Sequence, residues 1–417
     1  MAAYTVKNFN STMIGAPSLS GTPNTLIEVL KACLITGFNQ KSVVSANIVS
    51  GVCTLEIADN NQFQPNTVIL INGAEIEGLN GEHWLDEVNA NKLIFKVTRS
   101  DISNIPGSIV VKYAPVGEWT MPYTATSIAA FKSTHPHAAD AHIVIDDTAA
   151  RHASVRIYKG MTAIDSYDSY VPIGLQPEVM YLKSMNADTT VRQWKLIADG
   201  KTVYLFICPG KADNASGVWM SYCFGTFTTE GYATRLNCII TGSVMTTNLA
   251  ASTSVSSLGT GVTSSYSLDY SSMNSLNRYY SSIAMINPAT GAAGASCWHT
   301  PERWVSGGLF TSGMSTNIND RVFGSSINRP NNKIYTSDML IRCGENIIGR
   351  YPGLKVVLND IRPRAAKIVG KCIDGAYVQD GRLLYCAPAT KYESNLYSNT
   401  DANSLGIALF DTTGPWQ

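Results

Sequence analysis

Charge is what this sequence has least of. Asp, Glu, Lys and Arg together make up 15% of the 417 residues, against about a quarter in an ordinary soluble protein. Ser, Thr, Asn and Gln must therefore keep the surface wet. The 31 basic and 31 acidic residues cancel to a formal charge of +0. This balance lacks the electrostatic footprint of a nucleic-acid or anionic-membrane binder, so no nucleic acid is expected among the partners. Long apolar runs are missing as well. Those present, such as Val68–Ile71, have the length of a strand, so no membrane span is expected. The opening residues show no basic stretch followed by an apolar run and a cleavage site, so no secretory leader is expected. The nine cysteines are odd in number and form no CxxC pair. Buried reduced thiols are the expectation, and a disulfide framework or zinc ribbon is not.

What is present is a chain that is 45% hydrophobic, enough to fold, and patterned mainly for strands. The fold class read from it is mainly β: a small β-barrel plus larger β-sandwich or meander domains, with one short N-terminal amphipathic helix. That helix is predicted from Leu26, Ile27, Leu30, Cys33 and Leu34, which recur on one face. Thr25 and Glu28 are placed for a capping box and Gly37 for a C-terminal stop. Residues 1–46 then form an arm and helix, and Ser11–Asn24, rich in Ser, Gly, Pro and Thr, is expected to lie on a neighbouring subunit. Residues 47–113 read as the small barrel. Cys53, Leu55 and Ile57 alternate there, Val68–Ile71 is apolar throughout, and Leu93, Phe95 and Val97 alternate again, with turn-rich stretches between.

Residues 114–242 read as a β-rich domain. Asp199–Gly200, between Trp194–Ala198 and Thr202–Ile207, is a strong hairpin signature, because both positions tolerate positive φ. Trp194, Tyr204, Phe206, Trp219, Tyr222 and Phe224 are its bulky core candidates. Residues 243–281 form a Ser/Thr-rich linker or surface tract, and 282–417 a C-terminal β-rich domain in which Asp380–Gly381 repeats the hairpin signal.

Chemistry-bearing motifs are sparse. Four of the six histidines lie between positions 135 and 152, with Asp140, Asp146 and Asp147 close by. His135, His137 and His142 are the metal-ligand candidates, since imidazoles with carboxylates suit a divalent cation. Their spacing does not match the zincin pattern, and a polar loop or edge strand is the plainer reading. No metal and no other cofactor is assigned. Asp165–Tyr170 lacks the spacing of an EF-hand loop. There is no GxSxG elbow, Walker A loop, or GxGxxG after a strand, and no catalytic residue is assigned. Tyrosine outnumbers the other aromatics, 20 against 11 Phe and 7 Trp. Tyr266, Tyr270, Tyr279 and Tyr280, in a tract with little other core material, are the interface candidates.

Several blocks resemble one kind of protein. They include Asn24–Phe38 after a Gly/Pro-rich lead, Glu118–Tyr123 with Ala129–Lys132, and Ile145–Asp147 with Ala153–Tyr158. Trp194–Gly200 leading into Tyr204–Phe206, Cys223–Thr226 with Gly231–Thr234, Ile348–Leu354, and the terminal Asp411–Trp416 continue the pattern. Together they resemble virion structural proteins of tailed bacteriophages, of the tail, baseplate or neck type. Gly51–Val97, with Pro65–Gly73 and Leu79–Trp84, is similar to the small β-barrels likened to the FCCH domain of ubiquitin-activating enzymes, which phage tail proteins carry repeatedly. The resemblance implies assembly with other virion proteins, a homo-oligomer, location in the virion after synthesis in a bacterial cytoplasm, and no enzymatic activity. A host-receptor protein binding surface glycan is the alternative. A metal-dependent cell-wall hydrolase using the three histidines is a third reading.

Overall fold

The computed structural model describes residues 5–58, 63–171, 179–210, 220–226, 228–229, 238–240, 243–244, 297–301, 336–343, 346–357, 376–379, 382–386 and 408–416. As the alternating patterns require, the chain is mainly β, with one short helix and a nearly closed barrel-like sheet. It opens with strand β1 (Lys7–Asn10) and reaches helix α1 (Thr25–Lys31), which runs on into one π turn, Ala32–Thr36. Leu26, Ile27, Val29, Leu30, Cys33 and Leu34 are buried, and Gly37 at φ 69° ends the helix. The predicted capping box does not form. Asn24 takes the N-cap position in a left-handed conformation without a side-chain cap, while the Thr25 hydroxyl donates backward to the carbonyls of Ser20 and Thr22. The helix is capped from elsewhere in the chain, as described below.

The barrel is built from β2 (Phe38–Val49), β3 (Val52–Ile57), β4 (Thr67–Ala74), β5 (Gly81–Leu85), β6 (Glu87–Asn89), β7 (Lys92–Lys96) and β8 (Gly107–Tyr113). They hydrogen-bond in the order β5-β4-β8-β2-β3-β7-β6. The long β2 serves both halves, pairing with β8 over Phe38–Ser42 and with β3 from Val43 onward, across a register shift between Val43 and Ser45. A bulge of this kind bends a strand and lets a sheet curl. Ile48, Cys53, Leu55, Ile57, Ile69, Ile71, Leu93, Phe95 and Val111 fill the interior. The barrel therefore begins at Phe38, inside the segment read as arm and helix. Asn39–Ser42 is too polar to show as a strand, because none of its side chains is buried.

A second sheet combines β9 (Trp119–Ala125), β10 (Ile128–Ser133), β11 (His142–Asp146), β12 (His152–Lys159), β13 (Ser169–Val171) and β14 (Val179–Leu182). The hairpin β15 (Gln193–Ala198) and β16 (Thr202–Cys208) forms where predicted, but neither Asp199 nor Gly200 takes the expected positive φ. The Asp199 carboxylate holds the turn through the N–H groups of Lys201 and Thr202 instead. With β17 (Met220–Thr226) and β19 (Cys238–Ile240), it forms a five-stranded sheet whose edge is β1. Between these lies β18 (Thr228–Thr229), and β20 (Ser243–Val244) extends the second sheet. The remaining strands are β21 (Cys297–Pro301), β22 (Thr336–Cys343), β23 (Asn346–Val357), β24 (Ala376–Gln379), β25 (Arg382–Cys386) and β26 (Ala408–Asp411), in the order β21-β22-β23-β26-β25-β24, with β18 on β23.

The five-stranded sheet is covered on both faces, which explains the unbroken apolar run of β16. Val203, Leu205 and Ile207 join one core with the helix, the barrel interior and the inner face of the second sheet. Tyr204 and Phe206 point the other way, onto Phe410, and Tyr204 also meets Trp416 edge-on. Cys33, Cys53, Cys208 and Cys223 are buried. No helix among the described residues is long and apolar enough to cross a membrane.

One expectation is overturned. Ser11–Asn24 docks on its own chain, not on a neighbour. The Ser11 N–H donates to Trp194 O at 2.9 Å, the Arg192 N–H to Leu19 O at 2.7 Å, and the Trp194 indole to Pro17 O at 3.1 Å. Met13 and Leu19 are buried in the common core. Two apolar anchors and a few backbone bonds suffice, although turn-forming residues dominate the composition.

Candidate functional site

The three predicted histidines are not brought together. His135 and His137 share the loop between β10 and β11. Their rings lie 5.6 Å apart, and His135 Nδ1 accepts the His137 backbone N–H at 3.1 Å. His142 stands on β11, buried, with Nδ1 unpartnered and Tyr123 5.7 Å away. Burial lowers the pKa of both His135 and His142. Among the described residues no three His, Cys, Asp or Glu side chains group to hold a metal ion. Tyr266, Tyr270, Tyr279 and Tyr280 lie outside the described residues.

The second sheet offers a surface that the sequence reading missed. Its inner face carries Phe131, Ile143, Ile145, Val155 and Ile157 into the common core. Its outer face carries a separate cluster of Ala130, Val144, Tyr158 and Met161, flanked by Tyr123, Ile128 and Ile164. The loop after β12 folds back over this face. Tyr167 lies against Tyr158 at 4.2 Å, and the Tyr123 hydroxyl donates to Met161 O at 3.0 Å. Tyr167 remains 42% exposed. At the margin, Lys132 pairs with Asp140 at 2.7 Å, and this hydrogen bond lowers the Asp140 pKa. An exposed tyrosine backed by other rings and edged by charge is a surface suited to contact. The signal in the sequence was Tyr158, Met161, Ile164 and Tyr167 spaced along a stretch that otherwise reads as polar loop.

Of the buried ionisable groups, Lys7, Asp147 and Lys183 join distant parts of the chain, and Asp199 acts within its own turn. Lys7 of β1 pairs with Glu82 of β5 at 2.5 Å and donates to the carbonyls of Pro115 and Val116, closing the barrel onto the five-stranded sheet. Burial lowers its pKa, against the attraction of Glu82. Asp147, just past β11, caps α1: its Oδ2 accepts the N–H groups of Leu26 at 2.8 Å and Ile27 at 3.4 Å. Its Oδ1 meets the Lys183 ammonium, and neither side chain is exposed. Asp199 sits in the β15–β16 turn, where Oδ1 accepts the N–H groups of Lys201 at 2.8 Å and Thr202 at 2.7 Å. Burial pushes its pKa up to about 6. Its carbonyl receives the Trp119 indole at 2.9 Å, fastening the hairpin to the second sheet.

No protein-family model matches the sequence, and no curated protein matches it. The functional reading therefore rests on the chain's own residues.

Proposed function

We propose that this chain is a structural component of a tailed-bacteriophage virion, in the tail, baseplate or neck, and that it works by assembly with copies of itself and with other virion proteins. One observation carries the reading. The ion pairs Lys7–Glu82 and Asp147–Lys183 each tie separate elements of the chain to one another, and the Asp199 carboxylate orders the turn whose carbonyl receives the Trp119 indole. Their electrostatic energy goes into holding a multi-sheet scaffold, and the outward surfaces carry the function. A sparsely charged exterior avoids non-specific attraction while leaving room for specific contacts, and closed symmetry supplies self-complementary partner faces. On this reading the chain turns over no substrate. Light scattering on the purified protein is the test: a symmetric oligomer is expected, and a strict monomer at every concentration contradicts the proposal.

The outer face of the second sheet favours a second reading, a receptor-binding protein that touches host glycan. Tyr167, backed by the buried Tyr158, and the half-buried Tyr123 lie near the polar pair Lys132–Asp140, a combination that stacks on sugars while bonding their hydroxyls. A glycan array separates the two readings. Binding that is lost in Tyr167→Ala selects the second, and uniform silence removes it.

A further inference from the structure

Asp147 and Lys183 form an ion pair at the helix cap, but their surroundings suit more than attraction. Both side chains are sealed from solvent, at 0% exposure each. The amine is aimed by a bond to Thr22 O at 2.7 Å, and the carboxyl is held through Oδ2 by the Leu26 and Ile27 N–H groups. Burial lowers the Lys183 pKa and raises that of Asp147, against their mutual attraction. Both changes favour the uncharged partners. A neutral amine is a nucleophile and a carboxylic acid an electrophile, whereas ammonium and carboxylate do not react with each other.

We propose that Lys183 Nζ and Asp147 Cγ condense into an intramolecular amide, a covalent staple joining the segment after β14 to the segment after β11. Within the pair the ammonium first passes a proton to Oδ1. The Nζ lone pair then attacks Cγ, forming the N–C bond, and the carbonyl π electrons move onto Oδ2. There the two backbone N–H groups stabilise the developing charge as they would an oxyanion. The Cγ–Oδ1 bond breaks next, and Oδ1 leaves as water with the proton it carries and a second one from Nζ. One water is lost, nothing is oxidised or reduced, and no further reactant is needed. The fold supplies proximity, which replaces a bimolecular encounter by an internal one. The bond bridges 36 positions of sequence, and the amide keeps Oδ2 as acceptor for the helix. This inference is independent of any role in a virion.

The mass of the intact, denatured protein tests it. After allowance for the initiator methionine, the wild-type chain is expected to weigh one water less than its sequence. Proteolysis should give a branched peptide containing both Asp147 and Lys183. Lys183→Arg keeps the cation but removes the acylable amine, and its mass should return to the full value. Cyclisation at an Asp–Gly step such as Asp199–Gly200 also loses water, but it leaves a linear peptide and survives in Lys183→Arg. If that variant fails to fold, the branched wild-type peptide decides alone. A full sequence mass in folded wild-type protein after prolonged incubation overturns the proposal, as does a water loss mapped to a linear peptide.

Discussion

Two buried aspartates stabilise two junctions by different means. Asp147, where the helix meets the second sheet, divides its oxygens between two helix N–H groups and a sealed lysine. Asp199, where the β15–β16 hairpin meets the same sheet, relies on the amides of Lys201 and Thr202 and faces no buried cation. Burial raises both carboxyls. The difference lies in what happens on removal. At the helix junction a partner charge is stranded in the interior. At the hairpin only backbone donors are released, and the cost of the carboxylate appears instead as a dependence on pH.

The largest expected effect comes from stranding the charge. Relative to the uncondensed pair, Asp147→Ala leaves Lys183 buried without its anion and two helix N–H groups without an acceptor, at a cost of about 3–5 kcal/mol in denaturant unfolding. A loss below about 1 kcal/mol would show that water or another acceptor reaches Lys183, and the contrast would fail. The hairpin effect comes next. Asp199 binds its proton more tightly in the folded chain than in the unfolded one. Its contribution is therefore complete below the ordinary value of 3.8 and is lost as the pH rises through about 6. The loss is on the order of 3 kcal/mol across that window. Asp199→Asn keeps Oδ1 as acceptor and removes the titration, so the stability difference between wild type and variant should change with pH in that window and flatten outside it. A difference independent of pH contradicts the account.

Lys7 is the intermediate case. Its partner Glu82 is 27% exposed and can be hydrated when the amine is gone. Lys7→Met should cost about 1–2 kcal/mol, well under the Asp147 variant. The smallest effect is expected where nothing is buried. Val49 and Val52 face each other across the β2–β3 hairpin, 57% and 36% exposed. Replacing both by Thr should change stability by less than about 0.5 kcal/mol. A larger loss would mean that this hairpin tip is covered.

The readable parts of the fold were those whose cause is local. Asp199–Gly200 marks its hairpin because the turn is local, although the Asp199 side chain sets it by accepting from Lys201 and Thr202 and not by positive φ at the pair. The alternation of Cys53, Leu55 and Ile57 declares a barrel strand because one face is wet. The helix shows through the period of its apolar residues, yet Thr25 and Glu28, spaced for a cap, do not form one. The true cap, Asp147, is far away in sequence, and its choice depends on how the helix docks. The same limit hid the Lys183 partnership, since neither residue has a local motif. Ser11–Asn24 was misplaced for a different reason: Met13 and Leu19 anchor it, but two apolar residues among turn formers carry little sequence signal. The outer face of the second sheet was hidden because Met161, Ile164 and Tyr167 belong to a loop, where no period marks which side chains turn inward.

The central claim is that the outward surfaces of this scaffold meet other proteins of a particle. Fractionating infected-cell lysates by density, with an antibody against the chain, tests it most directly. The account predicts that the protein bands with intact particles and stays with them after washing in high salt. Protein found only in the soluble fraction, with none in purified particles, would contradict it.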